Sequence, residues 1–156
     1  MSVKQPKDEK YTGTINVTLH WNPQFAKNAN EKAHQIQCVI DKAVIKYMKP
    51  YIPYQAGFLS TKALTAETVI GSGKIRQLGP YAHYLYMGEI YGPNIPVKEN
   101  GVIVGWLSPK SKTPTGRPLT YDTTTKHSRA GALWFERMKA DHADDILKDA
   151  QEAANR

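Results

Sequence analysis

Apolar and polar residues alternate strictly between Thr14 and Trp21. One face of an extended chain would carry Ile15, Val17, Leu19 and Trp21, and the other face Thr14, Asn16, Thr18 and His20. This period of two predicts a half-buried β-strand. The preceding residues are polar and charged without an apolar run, so residues 1–13 are expected to form a flexible N-terminal arm and not a signal peptide.

Two longer segments repeat their apolar residues every three to four positions, as an amphipathic helix requires. The first begins after Asn22-Pro23, a capping residue and a proline that the first helical turn tolerates, and Pro50 ends it. The second is predicted from about Ala130 to Ala153. The apolar stripes are Phe25, Ala29, Ala33, Ile36, Ile40, Ala43 and Tyr47 in the first helix, and Ala132, Phe135, Met138, His142, Ile146, Ala150 and Ala153 in the second.

Two hairpin patterns lie between these helices. Strand-like runs at 63–70 and 74–78 flank Gly71-Ser72-Gly73, and this arrangement favours a hairpin. Asn100-Gly101 stands between apolar β-branched residues, Val97 on one side and Val102 to Val104 on the other. Asn-Gly in that setting favours a tight two-residue turn.

The remaining middle segments are less regular. The aromatic run from Tyr81 to Gly88 fits a short helix or a strand equally well. The run from Ser108 to Lys126 is rich in proline, serine, threonine, lysine and glycine, which predicts a mobile loop.

Two amphipathic helices and several short strands need a shared core, because none of them can bury its apolar face alone. The simplest arrangement is an α+β fold, in which a small antiparallel sheet carries the two long helices packed on one face. Residues 14–156 are therefore expected to form a single domain, with a long mobile loop at about 93–129.

Composition narrows the classes of protein that fit. The chain has 156 residues, the size of one ordinary domain, and its single cysteine, Cys38, fits synthesis in a reducing cytoplasm. No stretch approaches the ~20 consecutive apolar residues of a membrane span, so no membrane partner is expected.

The net charge of +7 is unevenly distributed along the chain. Between Pro93 and Arg129 there are six basic residues and two acidic ones, whereas the last helix ends with acidic residues. These segments are either ordinary solvated surfaces or opposite sides of a protomer whose charges help copies meet.

No catalytic or metal-binding constellation emerges from the sequence. His34 and Cys38 share a helix face, but a structural zinc site needs four ligands and the chain has no second cysteine. Within the acidic cluster at 141–145 only Asp141 and Asp145 share a face. The run at 71–74, Gly-Ser-Gly-Lys, resembles only a fragment of a phosphate loop. We therefore expect no enzymatic activity, no cofactor and no metal.

Nucleic-acid binding is a further interpretation of the basic segment. It is predicted to be flexible and contains Trp106, but no helix-turn-helix, zinc-finger or RNA-recognition signature accompanies it. Any contact with double-stranded DNA is therefore expected to be non-specific, from Lys110, Lys112 and Arg117 to the phosphates.

Aromatic motifs follow one another in order along the chain: PYIPY at 50–54, GFL at 57–59, GPYAHYLYMG at 79–88 and HSRAGALWFER at 127–137. This succession resembles the minor capsid proteins encoded among the head–tail joining genes of long-tailed phages of Gram-positive bacteria. More distantly, it is similar to phage tail-completion proteins. The resemblance extends over about Thr14 to Ala153.

The resemblance implies a structural virion protein of the phage neck, assembled in the cytoplasm of the bacterial host. It would form part of a head–tail connector or tail-completion ring around the DNA channel, with sixfold symmetry. Its expected partners are further copies of itself, the head connector or adaptor, and tail-tube or tail-terminator proteins.

Large aromatic side chains with polar tips suit either the edge of a core or a subunit interface. In the predicted mobile loop, Leu119 and Tyr121 are suited to anchor the segment on a neighbouring subunit. The residues expected at subunit or partner interfaces are Tyr81, Tyr84, Tyr86, Leu119, Tyr121, Trp134 and Phe135.

Three alternatives stay open. Within the same class, the protein would be a minor capsid component on the head side of the neck. In a different class, it would be a small cytoplasmic nucleic-acid-binding protein that acts through its basic loop. A toxin-like nuclease is the third, and it would need a clustered histidine, arginine and glutamate site that the sequence does not display.

Overall fold

The computed structural model describes residues 2–124 and 126–156. It contains helices together with small antiparallel sheets, which confirms the predicted α+β class. In chain order the elements are β1 (Glu9–Tyr11), β2 (Val17–Leu19), α1 (Phe25–Met48), a 3₁₀ turn (Lys49–Tyr51), α2 (Lys62–Thr65), α3 (Ala82–Met87), β3 (Glu89–Gly92), β4 (Ile95–Glu99), β5 (Val102–Leu107), β6 (Thr113–Pro118) and α4 (Trp134–Ala154).

The strands form three separate two-stranded antiparallel sheets, which pair β1 with β2, β3 with β6 and β4 with β5. The described residues therefore differ from the prediction of one sheet covered by two helices. The physical reason is that β4 and β5 close on each other through their tight turn, while β3 pairs with a strand from much later in the chain.

The chain is divided into two compact units. The first comprises the chain up to Val44 together with Val69–Lys74 and Asp144–Arg156, and the second comprises Ile45–Thr68 and Ile75–Ala143. Each unit is described by itself below.

In the first unit, side chains hold the N-terminal segment that was expected to be a flexible arm. Asn30 accepts the backbone N–H of Val3 at 2.8 Å and donates to its carbonyl at 3.0 Å. Asp8 accepts the N–H of Trp21 at 2.9 Å and lies 2.7 Å from the imidazole of His20. The hydrogen bond with His20 holds the pKa of Asp8 below its usual value. Part of the expected arm, β1, is a strand.

The strand predicted from Thr14 to Trp21 is shorter than the alternation suggests. Only Val17–Leu19 is extended and paired, all three residues are exposed, and Ile15 is 77 % exposed. The prediction of a half-buried strand is wrong. β1 pairs with β2 edge to edge, and this pairing leaves both faces of β2 uncovered.

The long helix α1 confirms the first helical prediction within two or three residues. Asn22 accepts the N–H of Gln24 at 2.9 Å, as a capping side chain does at a helix start. In the first unit the helix buries Asp41 and Ala43. Its last residue, Met48, is buried in the second unit, just before the proline-containing 3₁₀ turn.

The core of the second unit combines short elements from distant parts of the chain. Backbone groups tie them together: Gly131 donates to the carbonyl of Tyr51 at 3.2 Å, and Leu133 donates to that of Tyr86 at 2.9 Å. The buried apolar side chains of this unit are Met48, Tyr51, Ile52, Ala63, Leu64, Ala82, Ala130, Trp134 and Met138.

The hairpin predicted across 63–78 is wrong, because α2 occupies the first of its two expected strands. The side-chain hydroxyl of Thr68 makes hydrogen bonds where a hairpin would have backbone bonds between two strands. It donates to the carbonyl of Leu64 at 2.7 Å and accepts the N–H of Arg76 at 3.1 Å. These bonds stabilise a helix-and-turn arrangement that two paired strands would exclude.

The aromatic segment from Tyr81 to Gly88, for which helix and strand were both open, is the helix α3. Gly88 ends it in the left-handed region with φ 77°, and its N–H donates to the carbonyl of Tyr84 at 3.1 Å. A Cβ at this position would lie 2.6 Å from the Cβ of Ala132, so glycine is required both by its backbone angle and by space.

The strand β6 lies inside the segment that was expected to be a loop. Thr113 pairs with Gly92 and Pro118 with Glu89, and the N–H of Leu119 then donates to the carbonyl of Gly88 at 2.8 Å. β6 pairs with β3 on one side only, so it has a free edge. Prolines are tolerated there because the backbone N–H that a proline lacks is not needed at a free edge. The loop prediction is wrong for Thr113–Pro118.

The hairpin of β4 and β5 confirms the pattern around Asn-Gly. Asn100 and Gly101 both have positive φ angles, 49° and 80°, as a primed two-residue turn requires. The last helix also exists, but α4 begins at Trp134 and it is kinked at His142, where φ is −130° and ψ is 15°.

Candidate functional site

The hairpin formed by β4 and β5, residues Ile95–Leu107, exposes an unusual amount of apolar surface. We call it the apolar hairpin. Its large hydrophobic side chains are exposed as follows: Ile95 47 %, Val97 44 %, Val102 66 %, Ile103 48 %, Val104 55 %, Trp106 63 % and Leu107 58 %.

Both faces of the apolar hairpin are open. Ile95 pairs with Leu107 on one face, and Pro96 pairs with Trp106 on the other. β5 reads Val-Ile-Val-Gly-Trp-Leu, a continuous apolar run that is typical of a strand buried on both faces. An isolated two-stranded hairpin is only marginally stable in water. These residues are typical of an interior strand, yet in the described structure each of the seven large apolar side chains is at least 44 % exposed.

A second apolar feature of the same unit is a groove of about 580 Å³. We call it the aromatic groove, and it is lined by residues 53–59, 79–82, Leu85 and 120–122. Two rings stand exposed at its sides, with Phe58 53 % and Tyr81 70 % accessible. The hydroxyl of Tyr121 donates to the carbonyl of Leu85 at 2.5 Å, which joins two of the lining segments. Burial raises the pKa of Tyr121.

Several residues predicted at an interface fall on or beside the aromatic groove. Tyr81 and Tyr121 line it, and Leu119, half-buried, is fixed through its backbone just before the third lining segment. Tyr84 lies elsewhere on α3, and the centroid of its ring is 4.6 Å from the ring centroid of Tyr91.

The other predicted interface residues pack within their own chain. Trp134 is only 2 % exposed, and its indole N–H donates to Gln77 at 3.0 Å. The ring of Tyr86 packs edge-on against it at 4.7 Å, and the Tyr86 hydroxyl donates to Glu136. Burial, and then the Glu136 carboxylate, raise the pKa of Tyr86. Phe135 points outward and is 40 % exposed.

The basic residues predicted to contact DNA lie between β5 and the end of β6. Lys110 and Arg117 are exposed and Lys112 is half-buried. Arg117 shares a cleft of about 710 Å³ with Trp106 and Tyr91. The sequence placed Trp106 in the basic segment, and the structure adds that its exposed indole lies in the same cleft as Arg117.

A hydrogen-bonded cluster of one buried tyrosine and two exposed charged side chains connects the start of the second unit to α4. The hydroxyl of Tyr51, a residue 1 % exposed, donates to Asp141 at 2.5 Å. Arg129 donates to the Tyr51 hydroxyl and, at 3.2 Å, to Asp141. Burial first, and then the bond to Asp141, raise the pKa of Tyr51. The Tyr51 hydroxyl is held by both Asp141 and Arg129, so it is suited to stabilise the fold.

The glycine-rich turn at 71–74, which resembles part of a phosphate loop, already binds a carboxylate of its own chain. Asp41 accepts the N–H of Gly71 at 2.7 Å and that of Gly73 at 3.2 Å. Backbone N–H groups are the donors with which such loops bind phosphate. Since these two donors are used, the turn is an internal anion site.

The remaining chemical candidates assemble no centre. Cys38 lies 3.7 Å from the imidazole of His34, and both pack beside Gly71. Across residues 2–124 and 126–156, no three histidine, cysteine, aspartate or glutamate side chains come together as metal ligands would. In the same ranges, no helix is long and apolar enough to cross a bilayer.

Sequence reasoning missed the residues that dominate the exposed apolar surface. The signal was present in the unbroken apolar run of β5, which predicts two-sided burial. Phe58 belongs to the GFL motif at 57–59, and its 53 % exposure is visible only in the structure.

Comparison with known proteins gives no relative: no protein-family model matches the chain, and neither the curated proteins nor the solved structures give a significant match.

Proposed function

We propose that this protein is a structural, non-enzymatic component of a tailed-phage particle, located in the neck and forming part of a ring around the DNA channel. The observation that carries the proposal is the apolar hairpin, which is exposed on both faces. A contiguous apolar surface of this kind on a soluble domain marks a site of protein association.

The position of the aromatic groove also supports the proposal. Of its lining residues, Pro53, Tyr54, 57–59, 79–82 and Leu85 fall within the motifs through which the sequence resembles phage neck proteins. A motif that forms an open apolar groove is suited to bind another protein. The partners would be further copies of the chain, the head connector or adaptor, and tail-tube or tail-terminator proteins.

The distribution of buried groups agrees with a structural role. The most buried hydroxyl, that of Tyr51, joins Arg129 and Asp141 in a fixed network, and the buried carboxylate of Asp41 binds backbone N–H groups. Both arrangements use polar side chains to fix the fold. The sixfold symmetry and the tail side of the neck follow from the resemblance alone.

The proposal is tested by measuring the mass of the purified protein by sedimentation velocity, alone and mixed with connector rings encoded beside its gene. We expect ring-sized assemblies in at least the mixture, and electron microscopy of these should show added density on the connector. A protein that neither self-associates nor binds connector or tail-tube proteins would rule the proposal out.

One observation favours a second candidate, a nucleic-acid-binding protein. Trp106 is 63 % exposed and shares a cleft with Arg117. An exposed aromatic ring beside basic groups can stack on an unpaired base while the charges contact phosphates. Gel-shift titration of single- and double-stranded DNA separates the two functions, since a neck protein needs at most weak and salt-sensitive binding.

A further inference from the structure

We propose that the apolar hairpin of one copy of this chain docks in the aromatic groove of the next copy, with Trp106 as the side chain that enters it. The inference rests on the proposed function and identifies the contact that would build its ring. The committed occupant of the groove is therefore a second copy of the chain.

The apolar hairpin offers a substantial part of the area that such a contact needs. Its seven large apolar residues are each between 44 % and 66 % exposed. With roughly 150–250 Å² for a large aromatic side chain and less for an aliphatic one, their exposed parts amount to on the order of 700 Å². A standard interface buries about 800 Å² on each partner. These residues are divided between the two faces of the hairpin, so a contact on one face uses roughly half of this area, and the residues around it must supply the rest.

The aromatic groove fits an apolar guest. Its volume of about 580 Å³ is enough for a large aromatic side chain together with a neighbour. Among its polar groups, the Tyr121 hydroxyl is already bonded to the carbonyl of Leu85, so it makes no demand on the guest. The exposed rings of Phe58 and Tyr81 can then close over an inserted indole, as aromatic pairs do at interfaces.

The apolar hairpin is shaped before it meets its partner. Asn100 and Gly101 adopt the left-handed angles of a primed turn, which residues of these two types accept readily. The turn therefore favours this marginally stable hairpin before binding, so ordering it costs less than ordering a segment without such a turn, and this increases affinity for a given area.

Donor and acceptor are different patches of one chain, so the contact is head-to-tail. Such a heterologous contact does not end at a dimer, and it generates a ring where the rotation between successive copies closes. A two-fold contact between identical patches would instead end at two copies.

The two-patch arrangement permits a decisive mixing experiment. Trp106→Glu disables the hairpin but leaves the groove intact, and Tyr81→Glu disables the groove but leaves the hairpin intact. Both positions are exposed, at 63 % and 70 %, so each variant should fold; thermal unfolding checks this. Ile15→Glu is the matched control, since it places the same charge at an apolar side chain that is 77 % exposed in the other unit.

Sedimentation velocity and native mass spectrometry should give a clear pattern. Each of the two variants should self-associate at least about tenfold more weakly than wild type, because central aromatic truncations commonly weaken interfaces by that factor or more. Their equimolar mixture should form a 1:1 dimer and no larger species, through the single intact hairpin–groove pair. Ile15→Glu should behave as wild type.

Four outcomes would overturn the inference, and three of them are measured on the purified protein. These three are a wild-type chain that stays monomeric at about millimolar concentration, a mixture that gives no dimer, and a Tyr81→Glu protein that associates as well as wild type. The last result would point to pairing between two hairpins. If Trp106→Glu still forms rings on connectors, the neck function stands and only this contact is refuted.

Discussion

The buried carboxylate of Asp41 accepts the backbone N–H of Gly71 at 2.7 Å, across a separation of thirty residues. The same carboxylate accepts hydrogen bonds from the backbone N–H of Gly73 at 3.2 Å and from the side-chain amide of Gln37 at 2.7 Å. One acidic residue of α1 therefore fixes the turn Val69–Lys74, which would otherwise leave its N–H groups without an acceptor in the first unit.

Replacing Asp41 by alanine should destabilise the protein by about 3 kcal/mol, because buried donors are left unpaired and hydrogen bonds to a charged group are lost. Asp41→Asn keeps one acceptor oxygen, so its cost should be smaller. Urea unfolding followed by circular dichroism measures both. A stability of Asp41→Ala within about 0.5 kcal/mol of wild type, the range of ordinary surface substitutions, would contradict this role.

Gly71→Ala should cost about 2 kcal/mol or more, since Gly71 has a φ of 92° and an added Cβ would collide with His34 and approach Cys38 within 2.8 Å. Gly13→Ala is the matched control, because an added Cβ there meets no atom within 4 Å. The comparison uses the same unfolding assay. Equal stability of the two variants would show that the turn relaxes without loss.

The protein should lose stability in alkali. Burial raises the pKa values of Tyr86 and Tyr121, with Glu136 contributing at Tyr86. Below a pH of about 10 these tyrosines are protonated in both states, and above it only the unfolded chain releases their protons. Above that pH, each of the two tyrosines should lower the free energy of unfolding by up to about 1.4 kcal/mol per pH unit. This loss should stop once the pH passes the raised pKa of that tyrosine.

Tyr86→Phe and Tyr121→Phe check this pH dependence by urea unfolding between about pH 8 and pH 12. Each variant should show a shallower fall in stability than wild type, whatever its stability at neutral pH. Unchanged slopes for both variants would mean that these two hydroxyls ionise alike in the folded and unfolded chains.

Hydrogen exchange should distinguish an ordered β6 region from the mobile loop that composition predicts. The N–H of Leu119 bonds to the carbonyl of Gly88 at 2.8 Å, so it should exchange at least about tenfold more slowly than that of Ser111 in the exposed turn before β6. The measurement is made on the free protein by mass spectrometry or NMR. Equally fast exchange at both sites would favour the mobile loop.

Binding to double-stranded DNA should be weak and governed by few phosphates. If Lys110, Lys112 and Arg117 each contact one phosphate, the logarithm of affinity should fall with the logarithm of salt concentration with a slope of about −3 or shallower. Replacing all three by alanine should remove most of this dependence. Sequence-specific binding, or a much steeper slope, would favour a dedicated nucleic-acid-binding protein.

Local patterns predicted the elements whose determinants lie close together in sequence. The apolar stripe from Phe25 to Tyr47 specified α1, and Asn100-Gly101 specified the hairpin turn. The segment 63–78 was predicted wrongly because its structure depends on side chains outside any local pattern. The hydroxyl of Thr68 bonds to the backbone where paired strands were expected. Asp41, which lies on α1, accepts the N–H of Gly71 in the turn Val69–Lys74.

The same limit applies to the candidate site. Aromatic residues alone did not distinguish Trp134, which is buried in its own chain, from Tyr81, which is exposed beside the groove. That distinction depends on which helix face the fold covers, and on Gln77 lying where it accepts the Trp134 indole N–H. β6 was missed because its prolines and threonines resemble a loop, whereas β3 supplies the pairing.

Pro96 affects how the apolar hairpin can associate with further strands. It lies in β4 opposite Trp106, and a proline lacks the N–H that an added strand would need. β5 contains no proline between Val102 and Leu107, so only that edge of the hairpin can accept a further strand. Stacking of hairpin upon hairpin into an amyloid-like fibre requires both edges. The proline therefore protects against runaway polymerisation, and a Pro96→Val chain would be the form most prone to fibrillation.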